Sequence, residues 1–296
     1  MSSSSVGGSL PTALRAVDRS AAAISTAGDR SGLVLVRSAG AVGSAVARAI
    51  HLRGFPVVLL QDRSIATLRW AMSYAQAVTQ GECCLEGVRA KRTGLRSAVG
   101  LAYAEEGPLP LVVSSLAEGI AVLAPSVIID ACIKGAERPP RLRGAAELTV
   151  GIGPRFQAGE DVDIVIESKW GRGLGSSIST GFADRRPGEP EVIEGHGWRR
   201  FALARRSGSV RVRRPIGDTV TRGEWVASID GEPVHAPLAG VVRGILPNGS
   251  LVSCGDKVLE IDPRPSGAQF SGAGKRAEKI SQGILAILPG DLGFCS

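Results

Sequence analysis

Aromatic side chains are scarce in this sequence: six Phe, two Tyr and four Trp make up 4% of 296 residues. The core must therefore be assembled from Val, Leu, Ile and Ala, within a hydrophobic content of 44%. The same scarcity removes the stacking surfaces that single-stranded nucleic acid needs. The net charge of +7 and the pI near 9.5 are accordingly read as solvated charge, with a few arginines meeting a phosphorylated cofactor, and no nucleic-acid partner is expected. Histidine is rarer still, with three. The five cysteines, Cys83, Cys84, Cys132, Cys254 and Cys295, show no C-x-x-C spacing. That pattern speaks against a zinc site and against a disulfide framework. The adjacent pair Cys83-Cys84 cannot close a relaxed bridge. A reducing, cytoplasmic compartment is expected. No apolar run approaches the roughly eighteen residues of a membrane span, so no membrane partner is expected. The N-terminus lacks the basic-then-apolar order of a secretory signal.

Glycine and proline, by contrast, are plentiful at 39 and 17, which suits short strands and tight connections. The length suits two or three domains. The organising stretch is Gly32–Asp62, GLVLVRSAGAVGSAVARAIHLRGFPVVLLQD. Leu33–Val36 reads as a buried parallel strand. A glycine-bearing turn follows. Val42, Ala45, Val46, Ala49, Ile50 and Leu52 then fall on or near one helical face, and Pro56–Leu60 forms a second apolar strand. Strand, glycine turn, helix and strand in about thirty residues make the first unit of a dinucleotide-binding fold.

The chemistry of such a turn is simple. A phosphate needs backbone N–H groups and the positive end of a helix, and glycine lets it come close. The G-x-G-x-x-G fingerprint is present here as S-A-G-A-V-G. Gly40 and Gly43 fill its second and third positions, and Ser38 replaces the first. Asp62, or Gln61 if the strand ends one residue earlier, stands where an acceptor for a ribose hydroxyl is expected. The plainer alternative is a βαβ unit whose glycines serve helix packing alone.

Farther on, Ile65–Ala77 has helical character, and Gly81–Arg92 reads as a short strand region with turns. Leu109–Val113 and Val127–Asp130 read as strands and Leu116–Leu123 as a helix, which together support a doubly wound sheet. Ligands gather at the carboxyl ends of such strands, so Asp130 and Lys134 are candidate site residues, with a loop ion pair as the alternative. The glycine-rich loop around Gly153 and the basic loop Lys169–Gly175, with Arg172, are candidates for contact with an anion.

From Arg205 the pattern changes to short strands with Gly-Asp turns, and I-G-D-x-V-x-x-G-E at 216–224 recurs loosely at 251–258. This looks like the biotinyl/lipoyl carrier hammerhead. The expected hairpin tip, Ile229–Val234, has no lysine, so neither biotin nor lipoate is expected. Ala277, Ile280, Ile284, Leu285 and Leu288 space as a helix, with Lys275, Arg276 and Lys279 on its polar face.

The expected organisation is a disordered segment over 1–30, where Leu14, Val17 and Ile24 could line a short helix. A Rossmann-like parallel-sheet domain follows over 31–150, then a glycine-rich connecting region over 151–204. A small all-β barrel-sandwich domain is expected over 205–264, and a C-terminal helix over 265–296 packs back on the first domain. The fold class is α/β, and a homo-oligomer is compatible with it.

Taken together, these stretches resemble the accessory protein of the selenium-dependent molybdenum hydroxylase system. The resemblance rests on Arg37, Ala39 and Gly40; Gly54-Phe55; Gly81-Glu82 and Glu86-Gly87-Val88; Asp130-Ala131 with Lys134; and Gly151, Gly153-Pro154 and Val165-Ile166-Glu167. It continues through Ile216-Gly217-Asp218, Gly240–Gly244 and Ile261–Arg264. Ser38 and Ala41 stand where that family has glycine and aspartate, Gly171–Gly175 departs from its R-G-H-N-L-G, and Asp163 replaces a histidine. The resemblance implies a maturation factor for a molybdenum-containing hydroxylase client, with a nucleotide or molybdopterin-type cofactor held by Arg37, Ser38, Gly40, Gly43, Gln61, Asp62, Asp130, Lys134, Gly153 and Arg172. Two other readings stay open. An NAD(P)-dependent oxidoreductase would need a proton donor; His51, His196 and His235 show no evident partner for that work in the sequence, and Tyr74 and Tyr103 lack a lysine four residues on. A non-catalytic scaffold would leave the turn empty.

Overall fold

The computed structural model describes residues 32–62, 67–133, 138–185, 190–264 and 266–288. The expectations for 1–30, for the start of the helix at Ile65, and for Lys134 and Cys295 lie outside these residues.

The first eleven strands are β1 (Val34–Arg37), β2 (Val57–Gln61), β3 (Glu82–Leu85), β4 (Val88–Arg92), β5 (Leu109–Val113), β6 (Val127–Asp130), β7 (Leu148–Ile152), β8 (Gln157–Ala158), β9 (Ile164–Ile166), β10 (Ser177–Ile178) and β11 (Gly181–Phe182). Nine of them form one sheet in the order β10-β9-β7-β6-β1-β2-β5-β4-β3, while β8 and β11 pair separately. The pairings from β9 to β4 are all parallel, and the two edge strands β3 and β10 run antiparallel. The connecting region expected at 151–204 is therefore corrected in its first part. The 150 boundary falls inside β7, and β9 and β10 extend the same sheet.

Alternation within β1 shows why the sheet is covered on both sides. Val34 and Val36 share a core with Val46 and Ile50 of α1 (Ala41–His51) and Ala77 and Val78 of α2 (Ala75–Gln80). Leu33 and Leu35 point the other way, onto Ala98 of α3 (Leu95–Ala102) and Leu123 of α4 (Leu116–Leu123). All four β1-region side chains have no exposed surface, as expected of a strand buried on both faces.

The C-terminal helix α5 (Lys275–Ile287) lies on the α1 side and puts Ile280 and Ile284 into that first core. Its approach is a backbone contact: a Cβ on Gly283 would stand 1.9 Å from the Gly175 carbonyl oxygen.

The second domain is two four-stranded antiparallel sheets built from β12 (Phe201–Leu203), β13 (Gly208–Val212), β14 (Thr219–Val220), β15 (Trp225–Ile229), β16 (Glu232–His235), β17 (Gly240–Ile245), β18 (Leu251–Val252) and β19 (Lys257–Asp262). Their orders are β12-β19-β17-β14 and β16-β15-β13-β18. The β15–β16 hairpin turns at Asp230-Gly231, both with positive φ (46° and 88°), the geometry that matches strand twist.

The two domains meet along a polar seam. The Ile245 N–H donates to the Leu68 carbonyl at 2.9 Å and Trp70 Nε1 to the Ile245 carbonyl at 3.0 Å. These bonds hold 68–70 against the second domain. Where helical character is expected over Ile65–Ala77, the described part from residue 67 makes a 3-10 turn at Trp70–Met72 and then α2. Beneath the seam, Glu260 accepts from Arg69 twice and from Arg200 once, each at 2.7 Å.

Candidate functional site

Strand β1 pairs with β2 on one side and β6 on the other, so the crossovers run outward in both directions from the β1–β6 pair. In an open α/β sheet this reversal leaves a crevice beyond the carboxyl ends of the strands. The β1–α1 turn, the end of β6 and the loops after β7 and β9 all come to this edge.

Arg37 ends β1 directly opposite Asp130. Its Nη1 donates to Asp130 Oδ2 at 2.7 Å, and its Nη2 donates to Asp62. Asp130 is fully buried, and its second oxygen accepts the Cys132 N–H at 2.8 Å. Burial alone would lower the Arg37 pKa; the two carboxylates outweigh it and hold the guanidinium above its ordinary value. Three expected ligand residues are thus brought together, as partners of one another.

Ser38 has φ +96°, a region open to glycine and strained for other residues. This is the position where the fingerprint has its first glycine. The Ser38 hydroxyl accepts the Gly40 N–H at 3.3 Å. Gly40 is the N-cap of α1, in extended conformation at φ −72°, and no side chain caps the helix. Gly43 faces protein: an added Cβ would sit 1.9 Å from the Ser38 carbonyl oxygen and 3.3 Å from Ala131 Cβ. Its bareness lets the helix close onto the turn.

Gln61 ends β2, and its buried side chain turns into the bend, where Oε1 accepts the Ala39 N–H at 2.8 Å. The amides of Ala39 and Gly40 are both engaged from within. A phosphate at this bend would have to draw on other donors than these two amides. The donors left to a ligand are those of the first turn of α1.

Gly153, at φ +93°, joins the same edge. A Cβ there would lie 2.8 Å from Ser168 Oγ and 3.7 Å from Ile133 Cγ2. Arg172 is exposed on the loop after β9 and makes no ion pair among the described residues. Arg155 Nη1 donates to the Cys132 carbonyl at 2.8 Å, and Arg276 Nε reaches from α5 to the Ser168 carbonyl at 2.6 Å. Arg276 Nη2 and Arg37 Nε are buried and make no hydrogen bond among the described residues. Arg276 carries a signal in the sequence only as part of a polar helix face. That α5 returns to the ligand edge is a tertiary fact. Burial, then the Asp130 charge, pushes the Cys132 thiol up to about 12. It is therefore a thiol, not a thiolate, at neutral pH. Among the described residues no group of three His, Cys, Asp or Glu could hold a metal.

The geometry defines a class: an open α/β domain with a large, mostly parallel sheet covered on both faces, carrying a second domain of antiparallel sheets. No family model matches the chain. YqeB of Escherichia coli (strain K12), an uncharacterized protein, is 36% identical over 256 residues, which are 86% of this chain and 47% of that protein. The chain spans about half the length of this curated relative. Among solved structures, the product-bound ectoine utilization protein EutE (DoeB) from Ruegeria pomeroyi is 12% identical with a TM-score of 0.24, covering 70% of this chain and 57% of its own. An aspartoacylase family protein from Mesorhizobium loti is 9% identical with the same TM-score, covering 78% of this chain and 84% of its own.

Proposed function

We propose that the chain is an accessory or maturation factor of a molybdenum-containing hydroxylase, and that it holds a nucleotide or the nucleotide-like end of a molybdopterin cofactor at the switch point. The client follows from the family resemblance. The ligand class is supported by one observation: the uncapped first turn of α1 opens at the crossover reversal, where the helix dipole favours an anion. The phosphate meets residues 41–43, and Arg276, whose Nη2 makes no hydrogen bond among the described residues, is a cationic donor at that edge. Arg37 fixes the ends of β1, β2 and β6 and does not itself bind the ligand.

Thermal shift with NAD, NADP, CTP, GTP and molybdopterin nucleotides tests this reading. A stabilisation by one of them that disappears in Gly40→Asp supports it. Gly40 has backbone angles that aspartate adopts freely, and aspartate is a good N-cap. The variant therefore places a negative charge at the helix terminus without unfolding it. Hydride transfer would convert the reading to an oxidoreductase. The three histidines and two tyrosines lie away from the crevice: His51 ends α1, Tyr74 donates to the Val88 carbonyl at 3.3 Å, Tyr103 follows α3, and His196 and His235 lie beyond the sheet. Silence across the panel favours the scaffold, a reading supported by the two amides already occupied in the bend.

A further inference from the structure

Residues 199–222 carry eight arginines and one acid, Asp218. Arg200 is committed inward to Glu260, and Arg214 pairs with Glu224 and Asp218. Arg205, Arg206, Arg211 and Arg213 are different. All four are exposed, and none has an ion-pair partner among the described residues. Their placement follows from the strand. Val210 and Val212 of β13 turn into the second domain's core, so Arg211 and the following Arg213 turn outward. Arg205 and Arg206 stand in the turn that leads into the same strand.

Apolar surface flanks this row. Leu251, opposite Ser209 on β18, is 83% exposed, and Trp225 is 43% exposed. At the far end a cavity of about 330 Å³ is lined by Arg213, Arg214, Glu224 and Trp225. The nearby acids are engaged: Asp230 Oδ1 accepts the Ser209 N–H at 3.0 Å and Asp256 Oδ2 the Ser253 N–H at 2.8 Å.

We propose that this outer face of the second domain docks an acidic segment of a partner protein, its carboxylates meeting Arg205, Arg206, Arg211 and Arg213 and an apolar side chain meeting Leu251. Guanidinium groups bind carboxylates bidentately, and an apolar anchor among them supplies the desolvated contact that a purely charged surface lacks. The aromatic rings decide against single-stranded nucleic acid. Arg213 covers Trp225 at 4.5 Å, and Lys257 covers Trp198 at 4.2 Å and Phe201 at 4.5 Å. Faces already covered by the protein's own cations are not open platforms for bases. A second copy is disfavoured because a chain of net charge +7 repels itself. The proposal does not rest on the switch-point reading.

The test uses the full chain and a fluorescent peptide of alternating Glu and Leu, with an oligouridylate of equal length as competitor, read by anisotropy at two salt concentrations. The wild type is expected to bind the peptide, and Arg211→Glu/Arg213→Glu to weaken it by about tenfold or more. Arg205→Glu/Arg206→Glu should act likewise, and Leu251→Asp should weaken binding at high salt as well. The control Arg89→Glu/Lys91→Glu, on exposed positions of β4, should leave affinity unchanged. Equal loss in the control means a diffuse charge effect and overturns the proposal. So do retained affinity in both arginine pairs, tighter binding of the oligouridylate than of the peptide, and a dimer that the same variants dissociate.

Discussion

Replacing Glu260 by Gln should cost about 3–5 kcal/mol of stability, because Glu260 is the negative centre of the seam between the domains. Its carboxylate is 1% exposed and accepts three charge-assisted bonds, two from Arg69 and one from the fully buried Arg200, all at 2.7 Å. Glutamine keeps one acceptor oxygen and presents an NH2 group to a guanidinium where the second oxygen stood. Three bonds of about 1.5–3 kcal/mol each do not add independently. The applicable figure is that for breaking a buried pair, about 3–5 kcal/mol, since the arginines remain buried without their counter-charge. Urea unfolding monitored by tryptophan fluorescence and by circular dichroism measures the loss. The pH dependence has a definite sign. Burial would raise the Glu260 pKa, but the Arg69, Arg243 and Arg200 guanidiniums outweigh it and hold the carboxyl below its ordinary value. Its contribution is therefore fully present above the ordinary carboxylate range, near pH 4.3, and is lost as pH falls through the folded-state value. The gap between wild type and Glu260→Gln should shrink in acid. A loss under about 1 kcal/mol at neutral pH, or a gap that widens in acid, would show that water screens the seam and refute the argument.

Arg243 in the same seam should behave oppositely. It is buried, its Nε and Nη1 make no hydrogen bond among the described residues and come only within 3.8 Å of Glu260 and 3.7 Å of Asp262, and burial together with the neighbouring Arg69 pulls its pKa down to about 10. Arg243→Met is expected to change stability by less than about 1 kcal/mol or to raise it, as read by the same urea titration. Ser38→Gly should stabilise by about 1 kcal/mol through relief of the φ +96° strain, and an unchanged melting temperature would count against that strain. Gly43→Ala should destabilise by several kcal/mol, about 3 or more, because its Cβ would fall 1.9 Å from the Ser38 carbonyl oxygen. Gly283→Ala should unseat α5 from Gly175, seen as faster hydrogen exchange in 275–287 while the β1–β6 amides stay protected.

Where burial and period coincide, the sequence is legible. The apolar runs at 33–36, 57–60, 109–113 and 127–130 are strands, and the 3.6-residue spacing in 41–51 is a helix, because each satisfies its own local pattern. The expected carrier-like region after Arg205 is two antiparallel sheets with a tight Asp230-Gly231 turn. Sheet order escapes such reading. Nothing local in Leu148–Ile152 or Ile164–Ile166 says that they continue the first sheet and do not link it to the second domain. At the candidate site the residue types are legible and their partners are not. Asp62 and Asp130 fit equally well as acceptors for a ligand or for Arg37, and their pairing with Arg37 is a tertiary fact, set for Asp130 by the parallel register of β1 and β6 and for Asp62 by the end of β2.

That register also limits what any ligand can do at this edge. A phosphate that drew Arg37 toward itself would leave Asp130, fully buried, with Cys132 alone as its partner among the described residues. Stranding a buried carboxylate costs about 3–5 kcal/mol, more than the about 1.5–3 kcal/mol of one charge-assisted hydrogen bond to the phosphate. The triad is therefore a fixed wall of the crevice. Gln61 is a second wall, since withdrawing its oxygen would strand the Ala39 amide at about 1–3 kcal/mol. An anion bound here must find its donors on the side the triad does not occupy, among the first amides of α1 and the arginine that α5 brings to Ser168. The C-terminal helix thus brings Arg276 to an edge that the first thirty residues of the sheet domain do not complete by themselves.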